Sequence, residues 1–292
     1  MIRIPFTKAQ GAGNDFLILR HQIGETKIPE SLPEEWVRQI CDRHMGIGAD
    51  GVVIVTVPSG IEGTDAIARI MNSDGSEAEI SGNGTRCAAA FLVYEGLCGS
   101  SMLVRTGAGD KRLNLMYQKE NRFIFEMSMG NPVLNPSAIP FLPPMAVSEP
   151  VIGFSLPVGD SKQVVTITSM GNPHCSIRVE HFAWDWQNLG RQIECHPYFP
   201  NRTNIEFYRV ISPNEIEVRY WERGAGETLS SGTGSCAAVV AAILNRQAEN
   251  PVKVQTLAGN LHVRWESNGI FLTGPAEIVC QGEYFLSSAS QP

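Results

Sequence analysis

Short apolar runs with polar residues at alternate positions recur along the chain, each bounded by a glycine-containing turn. They fall at 16–19, 51–56, 66–71, 101–106, 123–127, 164–168, 205–210, 215–221 and 262–265. A period of two sends successive side chains to opposite faces, so these runs predict half-buried strands in antiparallel sheets. The helical period is rarer. It predicts helices over 33–42, 84–94 and 234–246, the last two rich in alanine and opened by a glycine turn. The stretch 131–160 is dense in proline and glycine without a helical period, and reads as a linker crossing between two halves.

An internal repeat changes that picture from a string of strands to two copies of one unit. The segment from Glu77 through Ser81-Gly82-Asn83-Gly84 to Cys87 overlays the segment from Glu227 through Ser231-Gly232-Thr233-Gly234 to Cys236, with Arg86 looped out. A weaker echo pairs Gly13-Asn14 with Gly171-Asn172. Each half therefore repeats a glycine-asparagine turn followed by a glycine-flanked serine that opens a helix. This predicts a duplicated domain with one site between the copies.

The repeated turn carries chemistry. Glycines let a backbone approach a ligand closely, and the first turn of a helix presents free N–H groups with positive potential. A carboxylate or phosphate fits there without a charged side chain. A lone serine at such a place is most often an N-cap; two matched copies in one chain favour a site. Glu222-Arg223 directly precedes the second turn, where Arg223 could fork onto a carboxylate and Glu222 accept from an ammonium. His174 follows Asn172-Pro173, and by itself a histidine there is more often packed in a core than catalytic.

Composition removes several classes. With 292 residues and a net charge of −7, the chain lacks the basic footprint that nucleic acid or an anionic membrane requires. No apolar stretch reaches the 18 or so residues of a membrane span, and the N-terminus has no signal-peptide pattern. Seven scattered cysteines without a C-x-x-C pair fit reduced thiols in the cytoplasm. A dinucleotide fingerprint, a phosphate-loop lysine motif and metal-ligand spacings are all missing, so no dinucleotide site and no metal are expected.

Together these segments resemble the diaminopimelate epimerase family. The motifs are Lys8 through Asn14-Asp15-Phe16, His44 through Asp50-Gly51, Asn72 through Cys87, Gly171-Asn172-Pro173-His174, Asn204, and Glu222 through Cys236. The resemblance implies an α+β fold of two similar domains, each a β-barrel-like antiparallel sheet around a central helix, with the active site in the interdomain cleft. The expected boundaries are 1–130 plus about 276–292 for the N-terminal domain and 131–275 for the C-terminal one. It further implies a cofactor-independent isomerase that interconverts LL- and meso-diaminopimelate, a precursor of lysine and cell wall. The expected partner is a zwitterionic amino acid, and the family leaves room for a homodimer. Carried over by motif, ligand-holding roles fall on Asn14, Asn72, Asn172, Asn204, Glu222 and Arg223, and on the turn amides of Gly82, Asn83, Gly232 and Thr233. His174 and Glu222 fall beside the two bases.

The bases themselves differ. The family takes the α-proton with a cysteine from one domain and returns one with a cysteine from the other, whereas this chain has Ser81 and Ser231 there. A thiol titrates near ~8.5 and lower at a helix N-terminus, while a hydroxyl needs an adjacent activating base. His174 and Glu222 are the activators the motifs offer. Cys87 and Cys236 fall within the following helices and read as core residues. Ser230 stands where the family has alanine. The alternative function is a homologue that binds an amino acid without epimerising it.

Overall fold

The computed structural model describes residues 2–23, 32–57 and 61–286. The chain divides into two compact units, Met1–Met127 with Gly274–Pro292, and Ser128–Thr273.

The first unit begins with a hairpin of β1 (Ile2–Gly11) and β2 (Asn14–His21). Its turn is made by Ala12 and Gly13, both at positive φ, the left-handed geometry that a tight hairpin turn demands. Helix α1 (Glu34–Cys41) then leads to β3 (Gly51–Thr56), parallel to β2, and β4 (Ala66–Asn72) pairs antiparallel with β3. After the short β5 (Glu77–Ala78) comes α2 (Gly82–Tyr94), which leads to β6 (Ser101–Thr106), parallel to β4. Strands β7 (Gly109–Lys119) and β8 (Arg122–Gly130) complete an antiparallel meander.

The second unit runs through the same sequence of pairings. Strands β9 (Val151–Val158), β10 (Ser161–Ser169) and β11 (Pro173–Arg178) are antiparallel neighbours. Helix α3 (Trp186–Glu194) crosses to β12 (Asn204–Ser212), parallel to β11, and β13 (Glu215–Glu222) turns back along β12. After β14 (Gly226–Thr228), α4 (Gly232–Leu244) leads to β15 (Val252–Thr256), parallel to β13. Strand β16 (Gly259–Glu266) and the start of β17 (Gly269–Leu286) close the meander. The later part of β17 pairs with β1, and β17 also pairs with β8, so the first unit closes as an eight-stranded barrel.

Both long helices are buried through almost their whole length. Every residue from Gly82 to Leu92 and from Gly232 to Ala242 is withdrawn from solvent. Helix α2 packs on β1, β2, β3, β4 and β6, and α4 on β10, β11, β12, β13, β15 and β16. A helix enclosed on all sides must be apolar on all sides, and alanine lets strand walls approach it closely. That is why the pattern there is a run of alanine and valine without an amphipathic stripe.

Four details differ from the sequence reading. The sheets are mixed, because α1, α2, α3 and α4 each bridge a parallel pair, and parallel neighbours need such a crossover. The stretch 131–160 is more than a linker: it contains β9 and buries Ile139, Phe141, Val151 and Leu156 in the second core. Helix α3 was not foreseen. Nor is Arg86 looped out: α2 and α4 each span 13 residues from equivalent serine caps, so Arg86 lies inside a regular helix opposite Cys236 in the repeat. It is fully buried, donating to Asn83 Oδ1 and Pro275 O.

Candidate functional site

In the second unit the candidate residues gather where α4 emerges between the ends of β11, β12 and β13. Ser231 caps α4 in an extended conformation, and its Oγ accepts the Gly234 amide at 3.2 Å. The same hydroxyl donates to Glu222 Oε2 at 3.1 Å, while Glu222 Oε1 accepts from Thr228 at 2.6 Å. Burial draws the Glu222 carboxyl up from its ordinary value, more than the bonds from Thr228 and Ser231 and the nearby His174 bring it down. A carboxylate that is poorly solvated and already hydrogen-bonded to a hydroxyl is a base aimed at that hydroxyl.

His174, on β11, is fully buried. Its Nδ1 lies 2.6 Å from Glu206 Oε1, and its Nε2 lies 2.9 Å from Asn172 Oδ1. Asn204 is buried at the start of β12 and committed to the backbone, donating to Pro173 O at 2.9 Å and accepting from Arg223 N at 3.0 Å. It thereby ties the turn before His174 to the Glu222-Arg223 corner. Arg223 itself is exposed, with one guanidinium N–H on Asn201 O. The amides of Gly232 and Thr233, the first two of α4, meet no acceptor among the described residues.

The first unit holds a matching but simpler arrangement. Ser81 caps α2 and accepts from the Gly84 amide at 3.1 Å; no carboxylate or imidazole of this unit bonds to it among the described residues. The amides of Gly82 and Asn83 likewise meet no acceptor among the described residues. Asn14 donates to Asp50 Oδ2 at 2.7 Å and accepts from Asn83 Nδ2 at 3.4 Å. Asn72, at the end of β4, donates to Ser76 Oγ at 3.0 Å.

The family-like motifs around residues 8–15 and 44–51 have a structural purpose here. Lys8 and Arg43 both bind Asp15, and Arg43 also binds Asp50, so a four-residue ion network fixes the carboxylate that holds Asn14. Burial alone would raise the Asp15 carboxyl, but the bonds from Arg43 and Lys8 hold it below its ordinary value. Cysteines are placed elsewhere. Cys87 and Cys236 are enclosed in the helix cores, and burial pushes the Cys87 thiol up to about 12. Ser230 is also buried, and its hydroxyl has no hydrogen-bond partner among the described residues. No group of three or more His, Cys, Asp or Glu among the described residues is arranged to hold a metal.

Comparison with known proteins decides the family. Its sequence profile, described as diaminopimelate epimerase, matches residues 6–135 and 166–279. The diaminopimelate epimerase of Pelotomaculum thermopropionicum is 44% identical over 96% of this chain and 98% of its own length. The chain belongs to the diaminopimelate epimerase family. The enzyme of that name from Desulfitobacterium hafniense is 42% identical over 94% of this chain and 96% of its own. The fold extends further: the crystal structure of a probable proline racemase from Agrobacterium radiobacter superposes with a TM-score of 0.71 at 14% identity, covering 98% of this chain and 94% of that one.

Members of the diaminopimelate epimerase family are isomerases, and an amino-acid epimerase is the activity this membership supports. Two residues in contact with the candidate site escaped the sequence reading. Asp50 anchors Asn14, and Glu206 anchors His174. Asn204 to Tyr208 of β12 are all buried, Glu206 among them, but in the sequence Glu206 reads as an ordinary alternating polar position.

Proposed function

We propose that the chain recognises a diaminopimelate-type amino acid without a cofactor and that Ser81 and Ser231 are the groups assigned to its α-proton, one for each face. The supporting observation is the Ser231–Glu222 pair, in which a capping hydroxyl donates to a carboxylate raised by burial. In one direction Glu222 takes the Ser231 proton as that oxygen takes the α-proton, and the Ser81 hydroxyl supplies a proton to the opposite face; Ser81 then regains a proton from solvent and Glu222 releases one to it. The open amides of Gly82, Asn83, Gly232 and Thr233 suit the α-carboxylate, because helix N-termini stabilise an anion without a counter-ion. Arg223, exposed and with donors to spare, suits the distal carboxylate. Nothing in this scheme needs a metal or an organic cofactor.

Hydroxyls make this a slow epimerase. Neither serine has the thiolate population that a cysteine offers, and Ser81 has no base bonded to it among the described residues of its unit. The unequal support favours substrate binding with at most trace turnover. Exchange of the α-proton in deuterated water, with LL- and meso-diaminopimelate, tests the catalytic part. Calorimetry with the same isomers tests recognition. Negligible heat for both isomers, with a stronger response to another metabolite, would remove the substrate assignment. Robust exchange by the unaltered protein, unchanged when both serines become cysteine, would remove the account of the serines.

A further inference from the structure

Glu206 and His174 form a buried pair whose geometry fixes where the imidazole carries its proton. Strands β11 and β12 run parallel, with His174 opposite Asn204 and Ser176 opposite Glu206. Side chains two apart on a strand share a face, so His174, Ser176 and Glu206 all point the same way. The Glu206 carboxylate, 1% exposed, receives Ser176 Oγ at 3.2 Å on Oε2 and meets His174 Nδ1 at 2.6 Å on Oε1. No lysine or arginine bonds to it among the described residues.

The carboxyl packs beside the start of a helix. A Cβ on Gly234 would lie 3.1 Å from Glu206 Oε1, so the carboxylate rests against the first turn of α4, where the helix presents positive potential. The other titratable groups that feel it are Glu222, the buried phenol of Tyr220 and the buried Cys175 thiol, none of them cationic. Glu206 already accepts from Ser176, and the same acceptor role toward Nδ1 puts hydrogen on that nitrogen. The remaining nitrogen, Nε2, faces the Asn172 side-chain amide, which can offer either its oxygen or its NH2 by turning over.

We propose that Glu206 is a positioning residue for His174: it holds the proton on Nδ1 and leaves Nε2 as the one ring nitrogen able to gain or lose a proton. Its catalytic consequence rests on the functional reading above together with the role the family motifs imply for His174, that of an activator of the serines. A buried pair kept solely for packing would leave the His174 tautomer unchanged once Glu206 became its neutral isostere.

The test uses the full chain, labelled with nitrogen-15 and assigned through a His174→Gln variant. At neutral pH the His174 ring should show a single tautomer with hydrogen on Nδ1. In Glu206→Gln, whose amide can donate or accept, both tautomers should be populated while thermal unfolding stays cooperative. A second arm places Glu206→Gln in the Ser81→Cys, Ser231→Cys background and follows α-proton exchange. There kcat should fall by ~10² or more, the worth of a misplaced acid–base group, with KM changed less than kcat. Hydrogen on Nε2 alone in the parent, or an unchanged single tautomer in Glu206→Gln, overturns the assignment. If the tautomer responds as expected but the double-cysteine protein exchanges no α-proton, the assignment of Glu206 stands and the functional reading fails.

Discussion

Ser231 donates its hydroxyl hydrogen to Glu222 Oε2 at 3.1 Å, and Ser81, its counterpart in the repeat, donates to no such group among the described residues of its unit. The difference arises at matching places in the two copies. Strand β13 ends in Glu222, whereas β4 ends in Asn72, whose amide is turned to Ser76. Duplication thus supplied two similar helix caps, and a single strand-end residue makes them unequal as acid–base sites.

That inequality predicts unequal rescue. Ser81→Cys should raise α-proton exchange more than Ser231→Cys, because the group lacking a base gains most from becoming a self-ionising thiol at a helix N-terminus. The two changes together should raise exchange by orders of magnitude, each restored group being worth ~10²–10⁴-fold. Exchange rates for the two single variants decide this, and a larger gain from Ser231→Cys would reverse the roles assigned to the serines.

Glu222 also predicts a pH-dependent stability change. Its folded carboxyl lies above the ordinary glutamate value of 4.5. A raised acid favours the folded state below the unfolded value and loses that contribution as pH rises through the folded value. At neutral pH the ionised, buried group therefore costs stability. Glu222→Gln should melt higher than the parent at neutral pH, with the gap closing well below pH 4.5, even as exchange at one face is lost. Thermal unfolding across that range measures it; a gap that widens toward acid would mean the carboxyl is depressed, not raised.

Ser230 gives a cleaner case. Its hydroxyl is buried without a partner among the described residues, and an unsatisfied buried polar group costs ~1–3 kcal/mol. Ser230→Ala keeps the Cβ and removes only the orphan oxygen, so it should stabilise the protein by about 1 kcal/mol in urea unfolding. A loss of stability would show that the hydroxyl has a partner in solution.

The sequence made the repeat readable because function needs residue types that stand out: serine between glycines, then an alanine run that can be surrounded by strands. The strands of the barrel walls were readable where one face is polar, as in β6, whose burial alternates. It failed where tertiary contact overrode local signals. Helix α3 carries an N-cap at Asp185, but Gly190 in its middle reads as a breaker. There a Cβ would meet Trp221 Cβ at 2.8 Å, so close packing, not flexibility, requires the glycine. Strand β9 was concealed by Gly153 and Pro157 within its own span. Glu206 passed as an ordinary alternating polar residue because nothing local reveals that both faces of β12 are covered.

Gly234 connects packing to the candidate site. A Cβ there would come within 2.9 Å of Tyr220 Cδ1 and 3.1 Å of both Glu206 Oε1 and Ser231 Cβ. None of these can yield cheaply: Tyr220 is buried with its hydroxyl bonded to Ser235, and Glu206 is held by His174 and Ser176. Overpacking of this kind costs ~1–3 kcal/mol, against ~0.5–1 kcal/mol gained when alanine replaces glycine inside a helix. Gly84 is the equivalent position in α2, but there the contacts are looser, at 3.3–3.4 Å, to Phe16 Cζ, Ser81 Cβ and Ile70 Cδ1. Gly234→Ala should therefore destabilise the chain by about 1–2 kcal/mol, while Gly84→Ala stays near neutral. It should also disturb the His174–Glu206 hydrogen bond, which the nitrogen-15 spectrum of His174 reports. Equal urea midpoints for the two variants would mean that the carboxylate does not rest against α4 as described.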